Sequence, residues 1–203
     1  MATTASAVMS QVMSPRPLPE ANRPVVPSAV LGTLIFVVAE VMFFVGMISA
    51  FTISRAGAPA GTWPVPGQPT LPAEATALNT VALVLSGLLL LVGQVLFAKK
   101  QAAAKWLVLA AWGLGVAFVG LQGREWSQLL SAGLTMTSSR LGAFFYLIVG
   151  MHGLHAIGAL VALGLAALQL LRDRLEGGLF FGAQVFWYFV VLMWPIIYAR
   201  VYF

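Results

Sequence analysis

LGAFFYLIVGMHGLHAIGALVALGLAALQLL, residues 141–171, decides the fold. The run contains no Asp, Glu, Lys or Arg. A charge-poor run of about 18 residues or more crosses a bilayer as a helix, because hydrocarbon obliges every backbone N–H and C=O to find its partner within the segment. This one is overlong, so it is expected to tilt or to protrude. It also holds both histidines of the chain, His152 and His155. Three positions apart, they share one helical face and lie about 4.5 Å apart along the axis.

Outward from this run, the rest of the chain reads the same way. Apolar helices are expected at about residues 29–53, 79–98, 105–123, 141–171 and 179–203, with a tail over 1–28. The 203 residues are 60% hydrophobic and 8% charged, against about 25% charged in a soluble domain. Mean hydropathy is +0.93. The two-residue alternation of barrel strands is absent. The fold class is therefore all-α integral membrane, with five transmembrane helices and no separate soluble domain. Residues 54–78 contain five prolines and form a loop. No internal repeat is evident. The Pro-, Ala- and Ser-rich tail has no basic start followed by an apolar core, so it is expected to be mobile rather than a secretory signal.

Basic residues set the orientation. Arg16, Arg23, Lys99, Lys100, Lys105, Arg172 and Arg174 collect on one side, and Arg55, Arg124, Arg140 and Arg200 on the other. The positive-inside rule then puts the N-terminus in the cytoplasm and the C-terminus outside. The net charge of +5 is spread over short loops and suits anionic lipid headgroups, not nucleic acid. With no cysteine, disulfides, thiolate-bound zinc, iron–sulfur clusters and dinuclear copper thiolate sites are excluded.

Glu40 is the one acid in the middle of an expected span. A carboxylate in hydrocarbon is costly, so it should be neutralised or paired. It is either a hydrogen-bonding group between helices or a proton or cation way-station. His152 and His155 do not close a metal site: no cysteine and no other histidine joins them, and bis-histidine haem ligation needs rings on opposite faces of the iron. Polar contact between helices, or a bond to Glu40, suits them better. Counted from the inner helix ends, Glu40 lies at about 17 Å and His155 at about 24 Å, and tilt narrows the difference. Gln122, Arg124, Glu125 and Trp126 are expected to close the third helix outside, with a local ion pair. Small residues are dense on the fourth helix (Gly142, Gly150, Gly153, Gly158, Ala159 and Gly164), and Gly150, Gly153 and Gly158 permit close helix approach or are ordinary membrane-helix glycines. Pro195 implies a kink, and Trp187, Trp194, Tyr198 and Tyr202 are expected to belong in part to an interfacial belt.

Five stretches, in order, carry a resemblance. VVAEVMFFVGMISAF (37–51), TWPVPGQPTLPAEATALNT (62–80), LQGREWSQL (121–129), GAFFYLIVGMHGLHAIGAL (142–160) and FWYFVVLMWPIIYARVYF (186–203) lie on the expected spans and their loop. From about residue 28 onward the chain resembles subunit III of the haem-copper terminal oxidases (cytochrome c oxidase), in a short form lacking two N-terminal helices. The resemblance places the family's intramembrane glutamate at Glu40, its histidines at His152 and His155, and its helix-end Gln and Glu at Gln122 and Glu125. It implies a non-catalytic subunit that binds no haem or copper itself and packs on catalytic subunit I, which with other partner subunits holds those groups. It further implies phospholipid binding, support of proton uptake, and a multi-pass location in the bacterial cytoplasmic membrane. The last helix departs from the pattern: Tyr188 and Val191 stand where the family usually has His and Asp. A quinol oxidase or a nitric oxide reductase would use a similar accessory subunit. A small proton-coupled transporter using Glu40 and His155 is the alternative from another class, though inverted repeats and broken helices are lacking.

Overall fold

The computed structural model describes residues 28–174 and 177–203, so the expected tail, with Arg16 and Arg23, lies outside the described residues. Among the described residues there are five helices and no strand: α1 (Ser28–Ala56), α2 (Ala73–Ala98), α3 (Ala103–Ser131), α4 (Arg140–Leu171) and α5 (Gly177–Val201). All five are long and apolar enough to cross a membrane. Two begin or end well away from the expected positions. α2 starts at Ala73, directly after Pro72, and α3 runs on to Ser131. Polar residues such as Thr76 and Glu125 resemble loop in an apolarity scan, yet here they sit within helices.

The helix ends are built from local hydrogen bonds. Ser139, in extended conformation at φ −165°, caps α4 by accepting from the Gly142 N–H at 2.9 Å. That turn needs glycine at 142, because a Cβ there would run into the carbonyl oxygen of Thr135. At the opposite end of the bundle, Lys105 in the first turn of α3 pairs at 2.7 Å with Asp173, just past the end of α4. Asp173 is largely exposed, so the pair contributes no more than about 1 kcal/mol.

α5 is the central element, packed on α1, α2 and α4, while α2 pairs with α3 and α3 reaches α4. Bulky side chains enter glycine gaps at these seams. Trp187 fills the space over Gly115, Val191 faces Gly87, and Trp112 lies on Gly164. Such contacts drive helix association where lipid removes the hydrophobic incentive. They also correct the expected aromatic belt. Trp187 and Trp194 are fully buried, and each indole N–H has an internal partner, Ser86 Oγ at 3.0 Å and Thr80 Oγ1 at 2.8 Å.

α1 packs by one narrow stripe. Thr33, Val37, Glu40, Phe44, Met47 and Phe51 recur at four- and three-residue steps and are its less exposed positions. The other face, including Ile35, Val38 and Met42, is open. An apolar open face is stable in hydrocarbon.

Candidate functional site

Glu40 stands on the packing stripe of α1, opposite His155 of α4. Its Oε2 lies 3.1 Å from His155 Nε2, and the side chains are only 20% and 10% exposed. The other imidazole nitrogen, Nδ1, lies 2.7 Å from the main-chain oxygen of Met151, one turn back along α4. A carbonyl only accepts, so Nδ1 carries a proton. Nε2 and the carboxyl oxygen then share a single further proton, whichever of them holds it. Both arrangements leave the pair with no net charge, which removes most of the cost of placing it in hydrocarbon.

Four phenylalanines surround this contact. Phe44, Phe189, Phe186 and Phe36 place their ring centroids 5.5, 5.8, 6.2 and 6.2 Å from that of His155. Water is displaced and the local dielectric is low, so the one hydrogen bond is electrostatically strong. The aromatic positions come from α1 and α5, so three helices converge on one imidazole.

His152 has a different environment, although it is only three residues away. It is 1% exposed, stacks on Trp194 at 5.1 Å, and meets the edge of Phe44 at 6.2 Å. Neither ring nitrogen has a hydrogen-bond partner in the protein. Phe44 packs edge-on against both imidazoles. The structure joins Glu40 to His155 and leaves His152 apart. This donor set does not fit a haem or copper ligand group: both nitrogens of His155 are engaged and His152 is packed between rings. Among the described residues, no three His, Cys, Asp or Glu side chains gather where they could hold a metal.

A second polar cluster lies toward the Pro-rich loop. Glu125 Oε2 accepts from Thr76 Oγ1 at 2.8 Å and from Gln122 Nε2 at 3.1 Å. Gln122 also donates to the Tyr202 hydroxyl at 3.2 Å, and Asn79 donates to Gln122 Oε1 at 3.2 Å. Gln122 and Glu125 are thus buried within α3 and facing α2, not at a helix end, and the local ion pair expected there gives way to inter-helix hydrogen bonds. Arg124, one position away, points to the exposed side. Thr76 and Tyr202 were not evident as members of this cluster. With α2 starting at Ala73, however, Thr76, Asn79 and Thr80 form an i, i+3, i+4 polar stripe that would have pointed to it.

The geometry defines a multi-pass membrane protein that buries one compensated acid–imidazole pair. Residues 18–203 match the family described as cytochrome c oxidase subunit III. The chain is 32% identical to a probable cytochrome c oxidase subunit 3 of Nocardia farcinica, over 90% of each chain. It is 31% identical to a probable cytochrome c oxidase subunit 3 of Mycobacterium bovis, over 99% of this chain and 96% of that one. With the Synechocystis cytochrome c oxidase subunit 3 it shares 30% identity, over 84% of this chain and 73% of that one. The chain belongs to the cytochrome c oxidase subunit III family, and it is a multi-pass protein of a bacterial membrane.

Proposed function

We propose that this chain is the accessory, non-redox subunit III of a haem-copper oxidase, a cytochrome c oxidase that couples oxygen reduction to proton translocation. In this reading it packs on catalytic subunit I in the cytoplasmic membrane, with its N-terminus inside and its C-terminus outside. The observation that carries the reading is the Glu40–His155 contact in a member of this family. A buried group that holds one shared proton between two helices can buffer protons beside a partner's uptake path, and it also pins α1 to the bundle. The exposed apolar face of α1 supports phospholipid contact.

The test compares the oxidase purified with and without this chain. Haem and copper content per catalytic subunit should be unchanged. Oxygen consumption should begin normally and then decay faster over successive turnovers, with slower proton uptake. Loss of haem or copper in proportion to this chain would overturn the non-redox assignment. Identical proton uptake and durability would overturn the supporting role.

A further inference from the structure

Two cavities lie end to end along the seam between α3 and α4, of about 470 and 400 Å³, sharing Val119 and Ile157 in their walls. On α4 they extend from Tyr146 to Leu168, about 33 Å at 1.5 Å per residue. Leu147, Leu154, Ile157 and Val161 at the rim are exposed apolar side chains, so the groove opens toward lipid. Its width follows from residues without side chains. Gly123, Gly150 and Gly153 line one cavity and Gly164 the other, while the rings of Trp126 and Trp112 rest on Gly153 and Gly164.

No Asp, Glu, Lys or Arg lines either cavity. Three buried nitrogens without a hydrogen-bond partner nevertheless belong to side chains lining the first: both of His152 and Nε1 of Trp126. Most buried polar groups in proteins are paired, so three orphans in side chains around one cavity call for a partner. A neutral imidazole offers one donor and one acceptor, and an indole offers a donor. The complementary group must therefore both donate and accept a hydrogen bond. It must also be uncharged, since an ion here would have no counter-charge. The length and lipid-facing opening of the groove require an apolar chain behind that head.

We propose that the α3–α4 groove binds an uncharged long-chain membrane amphiphile with a hydroxyl-bearing head group, anchored at His152. A phosphate head finds no cation in the groove, which separates this site from phospholipid contact on α1. The His152 nitrogens are shielded at rest, so the imidazole turns on its stack with Trp194 to meet the head group, with no hydrogen bond to break. Long-chain alcohols, diacylglycerols and isoprenoid quinols share this chemistry. The site depends on the membrane fold and not on any proton role of Glu40.

The experiment uses the intact oxidase complex and a long-chain alcohol carrying a photoactivatable diazirine on its chain, with labelled peptides mapped after irradiation. Labelling is expected on the groove walls, near Val119 and Ile157. His152→Phe keeps a ring against Trp194 but removes both nitrogens, and should lower labelling about fivefold, the equivalent of one net hydrogen bond. Gly123→Leu leaves His152 untouched, fills the groove where a Cβ meets no atom within 4 Å, and should abolish labelling. The matching alkane should label weakly and equally in the parent protein and in His152→Phe. Competition by a short-chain quinol against competition by a diacylglycerol identifies the source of the head group. Absence of label from α3 and α4, equal labelling by alcohol and alkane, or insensitivity to either substitution would overturn the proposal.

Discussion

The carboxyl of Glu125 accepts a 2.8 Å hydrogen bond from the hydroxyl of Thr76, tying α3 to α2 where both side chains are buried. Glu125→Ala would turn the Thr76 hydroxyl back to the Pro72 carbonyl, 2.9 Å away, and leave one Gln122 amide hydrogen without this acceptor. A buried donor left unpaired costs about 1–3 kcal/mol, so the thermal unfolding midpoint of the complex should fall clearly. Glu125→Gln retains an acceptor oxygen in the same place and should lose much less. Equal midpoints for the two variants would show that the hydrogen bonds contribute nothing.

Gly115 gives a sharper packing test. A Cβ on this residue would lie 2.6 Å from Cη2 of Trp187 and 2.7 Å from Cδ2 of Leu160, both in the tightly filled centre of the bundle. Gly115→Ala should destabilise by about 1–3 kcal/mol through overpacking. Gly113→Ala and Gly120→Ala, where a Cβ meets nothing within 4 Å, should be neutral or slightly stabilising by restoring helix propensity. Detergent-resistance or thermal midpoints on the three variants read this ordering directly.

Apolarity made the five spans legible, since the cost of unpaired backbone in hydrocarbon leaves few alternatives to a helix. Depth counting also made the meeting of Glu40 with an imidazole legible, because a buried acid needs a partner and few titratable groups lie near that level. Which histidine it meets was not legible. His152 and His155 share a helix face by spacing, and the choice depends on how α1 and α5 pack: Trp194 of α5 stacks on His152 while Glu40 of α1 meets His155. The helix limits failed where polar residues are buried: Thr76 and Glu125 read as loop and helix end until the other helix supplies their partners. Trp187 and Trp194 failed for the same reason, since an indole's preference for the membrane interface is lost once Ser86 or Thr80 accepts its N–H internally.

The proposed orientation rests on charge bias and can be checked with single cysteines in a chain that has none. The loop 57–72 gathers at one end of the bundle with the α3–α4 turn and the end of α5, through Gln68 with Ser139, while Tyr198 donates to Ala73 at the start of α2. Gly67 has φ +84°, which strains any replacement, so the exposed Thr70 is the better reporter there. With Ala102→Cys for the opposite end, an impermeant thiol reagent on intact cells should label position 70 and spare position 102. The reverse pattern would invert the topology.

The energetic role of the Glu40–His155 contact is open to a double-mutant cycle. Glu40→Ala leaves Nε2 of a nearly buried imidazole with no partner, and His155→Phe leaves the carboxyl alone among aromatic rings. Each should destabilise the subunit and loosen α1, the helix with the fewest buried residues in its span. If the contact itself carries the energy, the double variant should be less destabilised than the sum, with a coupling of about 0.5–3 kcal/mol. Glu40→Gln offers an independent check. Its amide N–H can donate to Nε2 while Nδ1 stays bonded to the Met151 carbonyl, so stability and co-purification with the catalytic subunit should be close to those of the parent. Any loss of proton-uptake rate in Glu40→Gln would then report the missing titratable group and not the packing. Additive single effects, within about 0.5 kcal/mol, would mean that the two side chains are neighbours without being partners.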